Sequence, residues 1–274
     1  MVRVIAVANQ KGGVGKTTTT VNLSASLALS GSKVLLIDLD PQGNATMGSG
    51  VDKERVEASV YDWLVDGMPL EAVAQRCQAG YQLLPGGSDL TAAELELLRQ
   101  ERREYRMRDR LAVSGQGYDY VLIDCPPSLN ILTLNALIAA DGVLIPMQCE
   151  YFALEGLTAL LETIEGVRRQ ANPGLAIEGL VRTMYDPRNS LTRDVSRQLL
   201  KHFGDQVFRT VIPRNVRLAE APSHGLPVIL YDRHSRGAVA YMALAGEVRR
   251  RHHPGSRPPT DADADADVDA EAPR

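Results

Sequence analysis

The residues with the clearest chemistry lie in Asn9-Gln10-Lys11-Gly12-Gly13-Val14-Gly15-Lys16-Thr17-Thr18. Glycines let consecutive backbone N–H groups curl around an oxyanion, and a helix starting at Thr17 adds the partial positive charge of its N-terminus. Lys16 is then placed to reach the β- and γ-phosphates of a nucleotide, and the Thr17 hydroxyl to ligate Mg²⁺. A plain glycine turn between a strand and a helix does not require a Lys-Thr pair at the helix start. The usual G-x-x-x-x-G-K-[ST] loop carries glycine where this chain has Gln10, and a second lysine, Lys11, stands just before the glycines.

Acidic residues fall where such a loop needs them. Asp38 and Asp40 leave the apolar run Val34 to Ile37 two residues apart, so they project to the same side at its carboxyl end, where open α/β sheets bind ligands. Asp124 ends a second run, Val121 to Ile123. Mg²⁺ keeps several waters and needs few direct carboxylates, which predicts a position for Asp124 near the ion or bridged to it by water. Pro213-Arg214-Asn215, after the short apolar stretch Val211-Ile212, reads by itself as a strand-ending turn.

These groups need elements to hold them. Val4 to Ala8, Val34 to Ile37, Val121 to Ile123, Val143 to Met147 and Ile177 to Val181 are apolar throughout, as expected of strands buried on both faces. Helix-length segments lie between and after them, at Thr17 to Ser30 with Gly31 as a C-cap, Glu155 to Gln170, Leu191 to Phe203 and Arg236 to Arg250. The alternation predicts one α/β domain over 1–253, a doubly wound, mostly parallel sheet flanked by helices. Leu90 to Leu111 is helical by propensity, and its Arg102, Arg103, Arg106 and Arg110 read as a solvated outer face.

Composition narrows the class. Of 274 residues, 44% are hydrophobic and 23% charged, which excludes a wholly disordered or collagen-like chain. No run of about 18 apolar residues exists, and the first residues enter a strand pattern without a leader, so a cytoplasmic protein is expected. Cys77, Cys125 and Cys149 have no C-x-x-C spacing and suit neither a disulfide framework nor a zinc or iron–sulfur site. Residues 254–274 carry six acids against Arg257 and Arg274, with nothing large to bury, and are expected to form a disordered acidic tail. Charge within the body is uneven, since Leu180 to Arg250 carries 12 cations against 6 acids. Such a face is either a polyanion footprint or merely solvated.

The run K-G-G-V-G-K-T resembles the deviant Walker A motif of the ParA/MinD family of P-loop ATPases. Leu35-Leu36-Ile37-Asp38-Leu39-Asp40-Pro41-Gln42-Gly43-Asn44 is similar to the family's second strand and switch I, and Tyr120-Val121-Leu122-Ile123-Asp124-Cys125-Pro126-Pro127 to its Walker B strand and switch II. Val211 to Gly225 resembles the C-terminal signature of the chromosomal members. The resemblance runs from about Arg3 to Val248, with four motifs in order.

The resemblance implies a weak ATPase with ATP and Mg²⁺ as cofactors. Lys11, Gly12, Gly13, Val14, Gly15, Lys16, Thr17 and Thr18 would bind the phosphates, and Pro213 and Asn215 the adenine. Lys11, Lys16 and Asp40 would be the catalytic residues, with Asp40 acting on the attacking water and Lys11 reaching a partner's nucleotide across a face-to-face homodimer. Thr17 would ligate Mg²⁺ directly, with Asp38 and Asp124 beside it. Arg188 and Arg217 match the family's DNA contacts, implying sequence-nonspecific binding to double-stranded DNA, a ParB-type centromere-binding partner and nucleoid association. The alternative within the family is a MinD-like membrane-associated regulator of division. That reading needs a C-terminal amphipathic helix, and this tail is acidic and lacks Trp, Phe and Leu. Iron–sulfur relatives would need paired cysteines, and a tyrosine-kinase relative a Tyr-rich tail.

Overall fold

The computed structural model describes residues 2–151 and 153–252, apart from the side chains of residues 153–155. The segment expected to be a disordered tail, 254–274, lies outside the described residues.

Along β1 (Arg3–Val7), alternate side chains serve two cores: Val4 and Ala6 pack into one layer, Ile5 and Val7 into the other. The same division holds in β2 (Val34–Asp38), where Leu35 and Ile37 oppose Val34 and Leu36. A strand that feeds a core on each face must be apolar at every position, which explains the unbroken runs. The remaining strands are β3 (Gln75–Arg76), β4 (Gln82–Leu84), β5 (Tyr120–Asp124), β6 (Gly142–Gln148), β7 (Ala176–Tyr185) and β8 (Val207–Pro213). Their order is β3-β4-β2-β5-β1-β6-β7-β8, and only the edge pair β3/β4 is antiparallel.

Helices cover both faces. On the side of Ile5 and Val7 lie α1 (Lys16–Leu29), α2 (Asn44–Gly48) and, from the chain's end, α9 (Val216–Glu220), α10 (Val228–Tyr231) and α11 (Arg236–His252). The other face is covered by α3 (Leu70–Val73), α4 (Leu90–Leu97), α5 (Arg106–Ser114), α6 (Ile131–Ala139), α7 (Ala153–Gln170) and α8 (Ser190–Phe203). The order of the strands reverses at β1, with β5 and β2 on one side and β6 to β8 on the other, so the loop after β1 opens at the switch point of the sheet. No described helix is long and apolar enough to cross a membrane.

One expectation fails. Leu90 to Leu111 is two helices, α4 and α5, broken at Arg102, whose backbone is left-handed at φ 51°. Nor do all its arginines face solvent. Arg106 Nη2 donates to the Val65 carbonyl at 3.2 Å, while Arg110 donates to the Met68 carbonyl and lies over the Trp63 ring. The carbonyls at the end of the segment carrying Trp63 need donors, and two arginines one helical turn apart supply them.

Candidate nucleotide and magnesium site

The loop between β1 and α1 is held from three sides. Asn9 Nδ2 donates to the Pro146 carbonyl at 2.8 Å while its Oδ1 accepts from the Lys11 amide at 2.9 Å. Thr183 Oγ1, on β7, donates to the Val14 carbonyl at 2.7 Å. Gly15 then caps α1 with φ 88°, a left-handed conformation that a side chain would strain, and no side chain bonds the helix's first N–H groups. These N–H groups, together with Gly12, Gly13, Lys16 and Thr17, line a cavity of about 560 Å³, closed opposite by Asp40, Pro41 and Pro126. The first turn of α1 contains no acid, so nothing there competes with an anion for the helix terminus.

Lys16 is buried, with Nζ 3.4 Å from the Lys11 carbonyl. Burial lowers its pKa, and the charges of Asp124, Cys125 and Asp40 act against that. A phosphate oxygen within reach of Nζ would favour the charged amine further.

The strand-end acids divide into distinct arrangements. Asp38 is fully buried and spends both oxygens on the fold: Oδ2 accepts from the Thr46 amide and hydroxyl, each at 2.7 Å, and Oδ1 from the Asp40 amide at 3.3 Å. These contacts anchor α2, and Asp38 stands close enough to Asp124 to raise that group's pKa. Asp40 accepts from the Gln42 amide at 3.0 Å and lines the phosphate cavity. Asp124 is also fully buried; its Oδ1 accepts from Thr20 Oγ1 at 2.9 Å, and its Oδ2 has no hydrogen-bond partner among the described residues. Burial pushes the Asp124 pKa well above the ordinary carboxylate range and neighbouring Asp38 raises it further, while the Thr17 and Thr20 hydroxyls pull the other way. A buried carboxylate with an unsatisfied oxygen, beside the hydroxyl that begins the phosphate-binding helix, fits a divalent cation, whose charge would reverse that shift. The donor set of Thr17 and Asp124 therefore suits Mg²⁺.

A second cavity, about 340 Å³, adjoins the first through shared lining residues Gly15, Thr18 and Met184. Pro213 ends β8 at its wall and Asn215 starts α9. Asn215 makes no cap bond to that helix, and its Oδ1 is buried without a hydrogen-bond partner among the described residues. An unpaired amide acceptor facing an apolar slot fits the exocyclic amine of adenine. Pro213 to Asn215 forms the expected strand-ending turn, and that turn places the Asn215 amide at the cavity.

Lys11 is not brought into this cavity. Its Nζ pairs with Glu150 Oε2 at 2.8 Å, both side chains being partly exposed. Arg188 and Arg217 line neither cavity and are already engaged. Arg188 forks onto Asp186, with contacts of 2.9 and 2.8 Å, and Arg217 pairs with Glu220 at 2.8 Å and Asp232 at 3.3 Å. Sequence reasoning missed Thr20, Thr183 and Met184. Thr20 had a signal, standing one helical turn after Lys16 and so on the same face of α1. Met184 had none; its φ of 47°, uncommon for a side chain of its size, appears only in the folded chain, between the two cavities.

The AAA domain family matches residues 2–177. The chromosome partitioning protein ParA of Caulobacter vibrioides is 54% identical over 249 residues, covering 90% of this chain and 93% of the relative. The sporulation initiation inhibitor protein Soj of Bacillus subtilis is 53% identical over 249 residues, covering 90% and 98%. Among solved structures, a Mycobacterium smegmatis protein described as cobyrinic acid a,c-diamide synthase, with bound ADP and magnesium, superposes with a TM-score of 0.82 at 40% identity, covering 95% of this chain and 99% of that one. The septum site-determining protein MinD of Pyrococcus horikoshii, complexed with Mg-ADP, gives 0.76 at 27% identity, covering 94% and 100%.

Proposed function

This chain belongs to the ParA/MinD family of P-loop ATPases, close to chromosomal ParA, with ATP and Mg²⁺ as its cofactors, and we propose that it partitions chromosomes or plasmids as an ATP-switched DNA-binding dimer. The observation that carries the proposal is the placement of Lys11: rigidly based beside the phosphate loop, it leaves its own phosphate cavity to Lys16 and turns to a partly exposed carboxylate. A lysine so placed is free to serve a second subunit's nucleotide.

In this reading the amides of Gly12 to Thr18 and Lys16 hold the triphosphate, and Pro213 and Asn215 hold the base. Thr17 would ligate Mg²⁺, with Asp124 near it or bridged by water, and the ion would supply neutralisation of charge on the β- and γ-phosphates. Asp40 takes up the proton of the attacking water as that water bonds to the γ-phosphorus, while the bond from the γ-phosphorus to the β,γ-bridging oxygen breaks and ADP leaves with that electron pair. Lys11, released from Glu150, places its charge across the interface where the transition state gathers negative charge. Dimerisation sets two copies of Arg188 and Arg217 on one body, so the second set engages DNA intramolecularly. These contacts read phosphates and carry no sequence information. Hydrolysis, stimulated by a ParB-type centromere-binding protein, lets the dimer part and the DNA go, and such a protein would reside on the nucleoid.

The test is duplex DNA binding followed over salt with no nucleotide, ADP and ATP, for wild type and Lys11→Ala. Wild type should bind tightly only with ATP, while Lys11→Ala should bind ATP, stay monomeric by light scattering and lose the ATP-dependent gain. Equal binding with ADP and ATP would overturn the switch. ATP-dependent binding to anionic vesicles in place of DNA would move the protein to the MinD-like reading.

A further inference from the structure

Away from the nucleotide, a cleft of about 940 Å³ runs between the end of α8, the start of β8 and the outer side of α11. Its cations are Arg209, Arg249, Arg250 and Arg251. Arg209 and Arg250 are exposed, and neither guanidinium is engaged by a hydrogen bond or ion pair among the described residues. Arg249 donates only to the Ser30 carbonyl, at 3.0 Å, so its charge is also uncompensated. Two acids border the cleft. Glu247 is turned inward, accepting from the Arg209 and Thr210 amides at 2.8 and 3.0 Å and lying 3.6 Å from Arg251. Asp205 receives Arg251 through its backbone carbonyl, at 3.0 Å, and its exposed side chain leaves one negative charge at the cleft against the arginines. The apolar part of the lining comes from Leu200, Val207, Met242 and Ala243.

Arg249 and Arg250 stand within three residues of His252, about 5 Å along the helix from the point where the chain leaves α11. Nine residues further on begins Asp261-Ala262-Asp263-Ala264-Asp265-Ala266-Asp267-Val268-Asp269-Ala270-Glu271. The period is two. In an extended backbone, five aspartates line one side and four alanines and a valine the other. That pairing of an acidic edge with a small apolar edge matches a lining of arginines and apolar side chains. Nine residues are long enough, at roughly 17 Å for a chain of that length without secondary structure, to return the acidic run to the cleft.

We propose that this cleft docks the chain's own acidic segment, Asp261 to Glu271, with its aspartates against Arg209, Arg249 and Arg250 and its alanine side on the apolar part of the lining. Tethering selects this occupant over a free polyanion, since a short covalent link holds the segment at an effective concentration of about 1 mM. Docking masks cations of the arginine-rich region from other anions, so the tail acts as a built-in competitor. The proposal uses no step of the ATP or partitioning reading, and its test stands if that reading falls.

The probe is a fluorescent peptide with the sequence of residues 260–272, followed by anisotropy on the full chain. A variant with Asp261, Asp263, Asp265, Asp267 and Asp269 all changed to Asn keeps the length and empties the cleft of its charged occupant. It should bind the peptide roughly tenfold more tightly than wild type, the factor by which a tethered competitor at about 1 mM weakens a ligand of about 100 μM affinity. Adding Arg209→Ala and Arg250→Ala should remove the gain at an unchanged melting temperature. Equal peptide affinity for wild type and the Asn variant, no peptide binding by either, or binding indifferent to the two arginines would overturn the proposal. So would Arg209- and Arg250-dependent capture of a short DNA duplex but not of the peptide, which would give the cleft to nucleic acid.

Discussion

Two regions of this protein are suited to phosphate, and they are built by opposite means. The candidate nucleotide site combines backbone amides on a pinned loop, a buried lysine and buried acceptors, Asp124 Oδ2 and Asn215 Oδ1, unpaired among the described residues. The proposed DNA contacts are side chains 89% exposed in Arg188 and 50% in Arg217, each already forked onto its own carboxylates. The first site gains from a ligand because its polar groups are unsatisfied without one. The second merely exchanges one carboxylate partner for a phosphate, in high dielectric and under salt screening. Single substitutions should therefore matter greatly in the first region and slightly in the second.

The largest effect is expected at Asp40. Asp40→Ala should cut ATP turnover by about 10² to 10⁴, the range for a lost general base, while leaving ATP affinity near wild type. Single-turnover phosphate release together with calorimetry checks both halves, and a mutant that hydrolyses ATP normally ends the assignment. Next comes Lys16→Ala. Loss of a charge-assisted contact to phosphate should weaken ATP by roughly 100-fold in calorimetry, with the fold unaltered by circular dichroism. Unchanged affinity would mean that the phosphates lie elsewhere.

The same contrast decides what could be read without a structure. The phosphate loop was legible because its chemistry is local: glycines, lysine and threonine must be consecutive to make the cradle. The buried strands were legible because a core on both faces leaves no polar position. Asp38 was placed on the right strand, but sequence spacing could not tell that Thr46 takes its carboxylate inward. The break at Arg102 was hidden because every residue from Leu90 to Leu111 tolerates a helix, and the inward turn of Arg106 and Arg110 depends on carbonyls more than 40 residues earlier. Ion pairs of Arg188 and Arg217 were close in sequence, yet charge counting treats such arginines as free.

Asn215 lies between the extremes, being a neutral group inside the rigid site. Asn215→Ala should weaken ATP about 3- to 10-fold, the worth of one neutral hydrogen bond, and reduce the preference for ATP over GTP. Competition binding with both nucleotides checks this. Unaltered discrimination would remove Asn215 from base recognition while leaving the phosphate site untouched.

The smallest effect is also the one that separates the two regions most sharply. Arg188→Ala and Arg217→Ala should weaken binding to every DNA sequence alike and flatten the salt dependence by about 0.9 for each phosphate no longer neutralised. Asp186→Asn should act in the opposite direction. The amide keeps the turn, since its oxygen still accepts from the Arg188 amide as Asp186 Oδ1 does at 3.0 Å, but it no longer competes for the guanidinium charge. Releasing an exposed ion pair corresponds to roughly two- to fivefold tighter DNA binding in the ATP state. Arg188 holds the Asp186 carboxyl below its ordinary pKa, so this acid stays ionised at neutral pH and loses its charge only in strong acid. The gain should therefore be the same at about pH 6 and about pH 8. DNA titrations at the two pH values check it. A variant that binds no tighter than wild type would show that the carboxylate is not what restrains Arg188, and that exposure by itself sets the weakness of this surface.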